Sequence, residues 1–239
     1  MRGLRLHASR GPSVTVRFHL APYDAAARTG GPAQCQSGWR SALAGEFECE
    51  TLAREHGPIL PMLLARDVGR SLDARVVPIT LGGDHSLSYF ALREVTSRLG
   101  PVTVVHLDAH HDAYPAAVLN HYSVFSIASR HLPIRIAAAG YRHDCEPLPP
   151  VLLQRVSGPA YVSLDVDYFS PALVACVGDP IPVLPDRDCT LATFEQTLSM
   201  IDGPIVGADI VEWIGDDSGR QEIEFMSRVV RALVQRIGT

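Results

Sequence analysis

The sequence predicts an α/β fold in which helices cover both faces of a central, mainly parallel sheet. Three observations carry that expectation. Short apolar runs rich in Val and Ile alternate with longer segments of helical periodicity, as in successive βαβ units. The runs are apolar at nearly every position, which suits strands buried on both faces. The acidic and imidazole side chains collect just after the runs, where open parallel sheets place their ligands.

VTVRF (14–18) reads as the first strand, and the Gly-, Pro- and Ala-rich stretch from Ala21 to Gly38 as a loop. Leu52–Leu72 has helical spacing, with Pro58 and Pro61 expected to break or kink it. VVPITLGG (76–83) is a strand entering a glycine turn, and Ser86–Leu99 is the helix after it. The pattern repeats through VTVVHL (102–107), a helix near Tyr122–Arg130, and IRIAAAG (134–140). AYVSLDVD (160–167), a helix around Leu191–Ile201, IVGADIVE (205–212) and a last helix, Gln221–Arg236, complete the series. With no internal repeat or low-complexity linker, residues 1–239 read as a single domain.

Hydrophobic residues make up 46% and charged residues 20% of the chain, enough for a sizeable core. A net charge of −5 without a basic block argues against nucleic acid or an anionic membrane as partner. No apolar stretch is long enough to cross a bilayer, and the start lacks the apolar core of a leader. The five cysteines are scattered, odd in number and form no CxxC pair, which suits reduced thiols. Soluble, cytoplasmic chemistry is the expectation.

The chemical residues lie in three short motifs. VVHLDAHHDAY (104–114) is an oily strand that ends in Asp108, His110 and Asp112. Residues two apart in an extended chain share a face, so these three converge if the extended geometry continues past the strand. LDVD (164–167) repeats the device with Asp165 and Asp167, and GGDHS (82–86) adds His85. Singly, each residue suits a helix cap. Together, four convergent carboxylates with no Lys or Arg in these segments would repel one another strongly. A pair of divalent cations relieves that repulsion. A carboxylate-rich set with one imidazole per ion is hard enough to suit manganese, and two such ions can activate a shared water.

GGDHS, DAHHD (108–112) and SLDVD (163–167), in this order and spacing, resemble the ureohydrolase family of arginase, agmatinase and their relatives. APYD (21–24) with GGP (30–32), GYR (140–142) and VE (211–212) extend the resemblance over most of the chain. The resemblance implies a three-layer α/β/α, arginase-like fold and two Mn²⁺ per chain. His85 would bind one ion and His110 the other, Asp108 and Asp165 would bridge them, and Asp112 and Asp167 would complete the two sites. It further implies that Glu212 holds the substrate guanidinium, that His121 shuttles a proton, and that Asp112 relays one. Asp84 and Ser86 would orient ligands. His111 would point away from the site, and His106 would be a hydrogen-bonded core histidine. His7, His19, His56, His131 and His143 read as structural or solvent-exposed. A homo-oligomer is also implied.

The chain departs from the family pattern at the rim. SPALVACVGDP (170–180) puts Ser170, Ala175, Cys176 and Val177 where the family has an Asp-Pro and Pro-Gly-Thr-Gly pattern. Cys145 stands about where arginase has an acidic partner for the α-ammonium, and AYPAAVLN (113–120) lacks arginase's Ser/Asn-rich character. The guanidinium grip is thus retained and the amino-acid grip lost. The expected activity is urea release, with arginine becoming ornithine within a peptide, as in peptide arginases. Agmatine or another small guanidino compound is the alternative substrate. A single-zinc, histone-deacetylase-like amidase is disfavoured by the six ligand positions, as is a catalytically degenerate metal-binding scaffold.

Overall fold

The computed structural model describes residues 4–5, 14–24, 31, 33–44, 46–47, 49–51, 54–143, 145–177 and 189–239. The strands are β1 (Leu4–Arg5), β2 (Thr15–Leu20), β3 (Cys49–Thr51), β4 (Val77–Leu81), β5 (Val102–Leu107), β6 (Ile134–Ala139), β7 (Ala160–Asp165) and β8 (Ile205–Val211). The helices are α1 (Gln36–Leu43), α2 (Leu60–Asp73), α3 (Leu87–Leu99), α4 (Val124–His131), α5 (Leu191–Ser199) and α6 (Arg220–Ile237). The strands form one sheet in the order β1-β2-β4-β8-β7-β5-β6, with β3 also beside β2, and every described pairing but β1–β2 is parallel.

The inner runs became strands buried on both sides, as in β7, whose six positions are all buried, whereas β6, at the sheet edge, is buried only at Ala139. One face packs against α1, α5 and α6 over a core that includes Trp39, Phe194 and Trp213. The other face packs against α2, α3 and α4, with Leu64, Leu92 and Phe125 in its core. The result is the three-layer α/β/α arrangement. α6 shows how the sequence selects a layer: Phe225, Met226, Val229, Val230 and Leu233 fall on one stripe and are buried. Each such side chain contributes about 1.5–3 kcal/mol of transfer free energy.

Two elements differ from expectation. The loop read from Ala21 to Gly38 ends earlier than expected: its last residues open α1 (Gln36–Leu43), whose Trp39, Ala42 and Leu43 supply a buried stripe. The 52–72 candidate divides at Gly57 (φ 43°), and α2 begins only at Leu60, with Pro61 in its first turn, where no N–H is needed. No described helix is long and apolar enough to cross a membrane.

The turn after β4 positions the first site histidine. Gly82 and Gly83 both have φ of +80°. A Cβ on Gly83 would lie 2.6 Å from the Ala21 carbonyl oxygen and 2.3 Å from Leu87 Cδ1. Gly83→Ala is therefore expected to lower unfolding stability by about 1–3 kcal/mol in a urea titration. A cost within a few tenths of zero would show that the turn can relax.

Candidate metal centre

Asp108, His110 and Asp112 do converge with Asp165, Asp167 and His85, but not by alternation along an extended chain. β5 stops at Leu107, and the backbone bends at Ala109 and His110. The Asp108 side chain accepts the His110 N–H at 2.7 Å, a local turn that folds the motif back. Asp112 adopts φ 45°, a left-handed conformation that aims its carboxylate at His85. β7 ends the same way: Asp165 Oδ1 accepts the Asp167 N–H at 3.0 Å, and a short 3₁₀ turn follows. The Ala109 N–H then donates to Asp167 Oδ1 at 3.0 Å, tying the two motifs together. Arg142, of the GYR motif, fixes this turn from behind by donating to the carbonyls of Asp167, Tyr168 and Phe169.

Three groups of potential ligand atoms result among the described residues. His85, Asp108, Asp112 and Asp165 form one cluster and Asp108, His110 and Asp167 another, so Asp108 belongs to both; the third group, His85, His106 and Asp108, includes a ring whose two nitrogens are already hydrogen-bonded. His110 Nδ1 lies 2.9 Å from Asp167 Oδ2. His85 Nδ1 lies 2.8 Å from Asp112 Oδ2, 3.3 Å from Asp108 Oδ2 and 3.5 Å from Asp165 Oδ2, yet makes no hydrogen bond. A buried ring nitrogen facing three carboxylate oxygens with no bond directed at any of them is the geometry a cation completes. A hard, oxygen-rich donor set with one imidazole in each cluster fits divalent ions.

The electrostatics agree. Burial and the neighbouring Asp108 push Asp112 up to about 7. Burial, then Asp167 and Asp108, drive Asp165 well above the usual carboxylate range, and burial with Asp108 raises Asp167. For His110, burial favours the neutral ring, but Asp108 and Asp167 push it up to about 12. The acidic groups hold more negative charge than two imidazoles can neutralise.

Glu212 follows β8 with φ 66°, an uncommon conformation for a residue of its length, and this turns its carboxylate back toward the clusters. Its Oε1 accepts the His85 N–H at 2.8 Å. Burial, reinforced by Asp165 and Asp84, raises its carboxyl well above normal. A cavity of ≈ 420 Å³ opens over this group, lined by the half-buried His110 and by the buried Asp112, Asp165, Asp167 and Glu212. His121 lines the same cavity from a short 3₁₀ turn, with its ring 5.0 Å from that of Tyr122. Among the described lining residues there is no arginine or lysine.

Other expectations resolve as follows. Asp84 accepts from the backbone and hydroxyl of Ser86, which shapes the turn carrying His85. His111 accepts the Ala113 N–H at 2.8 Å and does not line the cavity. His106 is fully buried, hydrogen-bonded to Asp108 at 2.8 Å and to the Tyr141 hydroxyl at 2.7 Å, and burial lowers it to about 4. It is a neutral core histidine that also orients Asp108. His143 differs from expectation: its ring stands 5.1 Å from that of His110, and it lines the cavity. Cys145 does not line it, whereas Val177 does. Gly30, Pro32, Gly178 and Pro180 lie outside the described residues, as do His7 and Asp144.

One group was not anticipated. His85 Nε2 lies 3.1 Å from Ser163 Oγ, Ser163 donates to Asp209 Oδ1 at 2.7 Å, and Tyr161 donates to Asp209 Oδ2 at 2.7 Å. This file holds the His85 ring with Nδ1 toward the carboxylates. The clue lies only in strand register, since Ser163 pairs with Asp209 across β7 and β8.

Comparison with known proteins agrees with this geometry. A model described as the arginase family matches residues 24–148. The chain is 31% identical over 189 residues to arginase 1, mitochondrial, of Oryza sativa subsp. indica, covering 66% of this chain and 53% of that protein. It is 31% identical over 174 residues to the mitochondrial agmatinase of Gallus gallus, covering 57% and 49%. It thus spans about half the length of the curated relatives it matches. The solved proclavaminate amidino hydrolase from Streptomyces clavuligerus shares the fold, with a TM-score of 0.74 at 23% identity over 93% of this chain and 91% of that one.

Ser163→Ala should weaken divalent-ion binding by about 10–100-fold in a calorimetric titration while the far-ultraviolet circular dichroism stays unchanged. Unaltered affinity would mean that the His85 ring is held by packing alone.

Proposed function

Because the chain belongs to the arginase family, we propose that it is a binuclear manganese hydrolase that releases urea from arginine residues within a peptide, leaving ornithine. The observation that carries the proposal is the pair of carboxylate–imidazole clusters sharing Asp108 at the closed end of a cavity whose described lining holds no arginine or lysine. His85, Asp108, Asp112 and Asp165 would hold one ion. His110 and Asp167 would hold the other, with Asp108 and Asp165 bridging. Hard oxygen donors favour Mn²⁺ over zinc here. When bound, the ions supply Lewis acidity and an activated water at neutral pH.

The remaining chemistry falls to side chains. Glu212, fixed through Oε1 by the His85 N–H, receives the planar guanidinium through charge-assisted hydrogen bonds. Water adds to the guanidinium carbon, and the bond from that carbon to the side-chain nitrogen breaks. Asp112 takes the proton that the water gives up, and Asp112 with His121 passes it to the departing nitrogen. Urea and the ornithine amine leave. Both residues line the same cavity as Glu212, which supports these roles.

Substrate choice rests on charge. The α-carboxylate of free arginine would enter a cavity lined by carboxylates with no described Arg or Lys to receive it. An arginine inside a peptide carries no such charge. Agmatine lacks it too, and is the second reading on the same observation.

Urea release by Mn²⁺-loaded protein is expected to be faster in kcat/KM from Nα-acetyl-arginine amide than from free arginine. A clear preference for free arginine would end the peptidyl reading, and no urea from any guanidino compound would leave a metal-binding scaffold. Glu212→Gln should retain both ions by elemental analysis while kcat/KM falls by about 100-fold or more. Loss of the ions would move Glu212 into the ligand set. Asp165→Asn should lose more metal than Asp167→Asn, since the former is assigned to both ions; the reverse order would reassign the bridge.

A further inference from the structure

The outer wall of the cavity is apolar and aromatic, in contrast to its acidic end. Tyr114, Pro115 and Tyr122 line it, and the two tyrosines are 38% and 36% exposed. Their rings stand 6.1 Å apart at 75°. Val118, on the same loop, is 75% exposed. Eight large hydrophobic side chains are exposed among the described residues; three of them, Tyr114, Val118 and Tyr122, fall within one short segment, and the two tyrosines line the cavity. Scattered apolar residues need no explanation, but a cluster continuous with an acidic cavity does.

The loop is held in place. The Tyr114 N–H donates to the Tyr122 carbonyl at 3.1 Å. Ser126 Oγ donates to the Tyr114 carbonyl at 2.8 Å, and Arg130 donates to the Ala116 carbonyl at 2.9 Å. These bonds use main-chain acceptors, and ring contacts of Tyr114 with His111 at 4.5 Å and of Tyr122 with His121 at 5.0 Å add to them. Rigidly mounted aromatic rings bind apolar groups at low entropic cost, because few torsions remain to be frozen.

We propose that Tyr114, Pro115 and Tyr122 form a subsite for the residue adjacent to the substrate arginine, and that this subsite selects an apolar or aromatic neighbour. The proposal rests on the reading that the cavity takes a peptidyl guanidino group. With the guanidinium at Glu212 and the carboxylates, the peptide backbone must leave through the mouth, where the first surface it meets is this wall. A free amino acid would place its charged α-groups against the same apolar rings and gain nothing from them. A charged acidic neighbour would meet both the rings and the cavity's negative charge.

The test measures kcat/KM on the Mn²⁺-loaded protein for acetyl-X-Arg-amide peptides with X as Phe, Leu, Ser or Asp, with Nα-acetyl-arginine amide as reference. Urea release and mass spectrometry report turnover, and calorimetry reports binding of the ornithine-containing product peptides. Phe and Leu should exceed Ser and Asp by about tenfold, in product affinity as in kcat/KM. Tyr122→Ala and Tyr114→Ala should reduce that ratio to about twofold, and Tyr122→Phe should preserve it. A flat dependence on X, with the reference still hydrolysed, overturns the subsite alone. A ratio that persists in both alanine variants does the same. Hydrolysis confined to free arginine or agmatine overturns the peptidyl reading beneath it.

Discussion

Five buried carboxylates at the ends of three strands are the constraint on which the rest of this structure depends. Asp108, Asp112, Asp165, Asp167 and Glu212 are each no more than 7% exposed and repel one another. Such a group survives folding only if every oxygen meets an N–H, an imidazole or a cation. Main-chain N–H groups meet part of the need: those of His110, Ala109, Asp167 and His85 all point at these carboxylates. The loops after β5, β7 and β4 are bent to present those donors. Their shapes follow from the charges they must satisfy.

The strain in the molecule falls at the same place. Of the three non-glycine residues with positive φ among the described residues, Asp112 and Glu212 line the cavity. Left-handed backbone costs a side chain of Glu's size about 1–3 kcal/mol and persists only where the surroundings impose it. Here Glu212 is tied by its own N–H to the Gly83 carbonyl and by Oε1 to the next turn. β8 and the glycine turn after β4 thus lock each other, and His85 is carried between them.

The strands and the acidic and imidazole groups gathered at their ends were legible in the sequence because both are local signals: runs of Val and Ile for the sheet, Asp-x-His and Asp-x-Asp where those runs stop. What was not legible depends on distance in sequence. Gly38 reads in the sequence as the end of a loop, yet it lies inside α1 and is a glycine because a Cβ there would sit 2.4 Å from the Gly215 carbonyl oxygen, where helix and turn meet closely. The convergence of Asp108 with Asp112 followed from bends and a positive φ, which alternation does not contain. The Asp209–Ser163–His85 chain of hydrogen bonds joins β8, β7 and the turn after β4, and β7–β8 register alone makes its first two members neighbours.

The acidic end and the rim are built by different means, and this separates two properties of the cavity. At the acidic end the carboxylates of Asp108, Asp165, Asp167 and Glu212 themselves accept the bonds that shape the turns, so substitution there disturbs several residues at once. The rim loop, in contrast, is pinned through the carbonyls of Tyr114, Ala116 and Val118 and the capping of Asn120 by Ser123. Those bonds do not depend on which side chains stand at 114, 115 or 118. Rim chemistry can therefore change while the carboxylates keep their positions. A chain of this design can retain one reaction at the closed end of its cavity and vary the substrate admitted at the mouth.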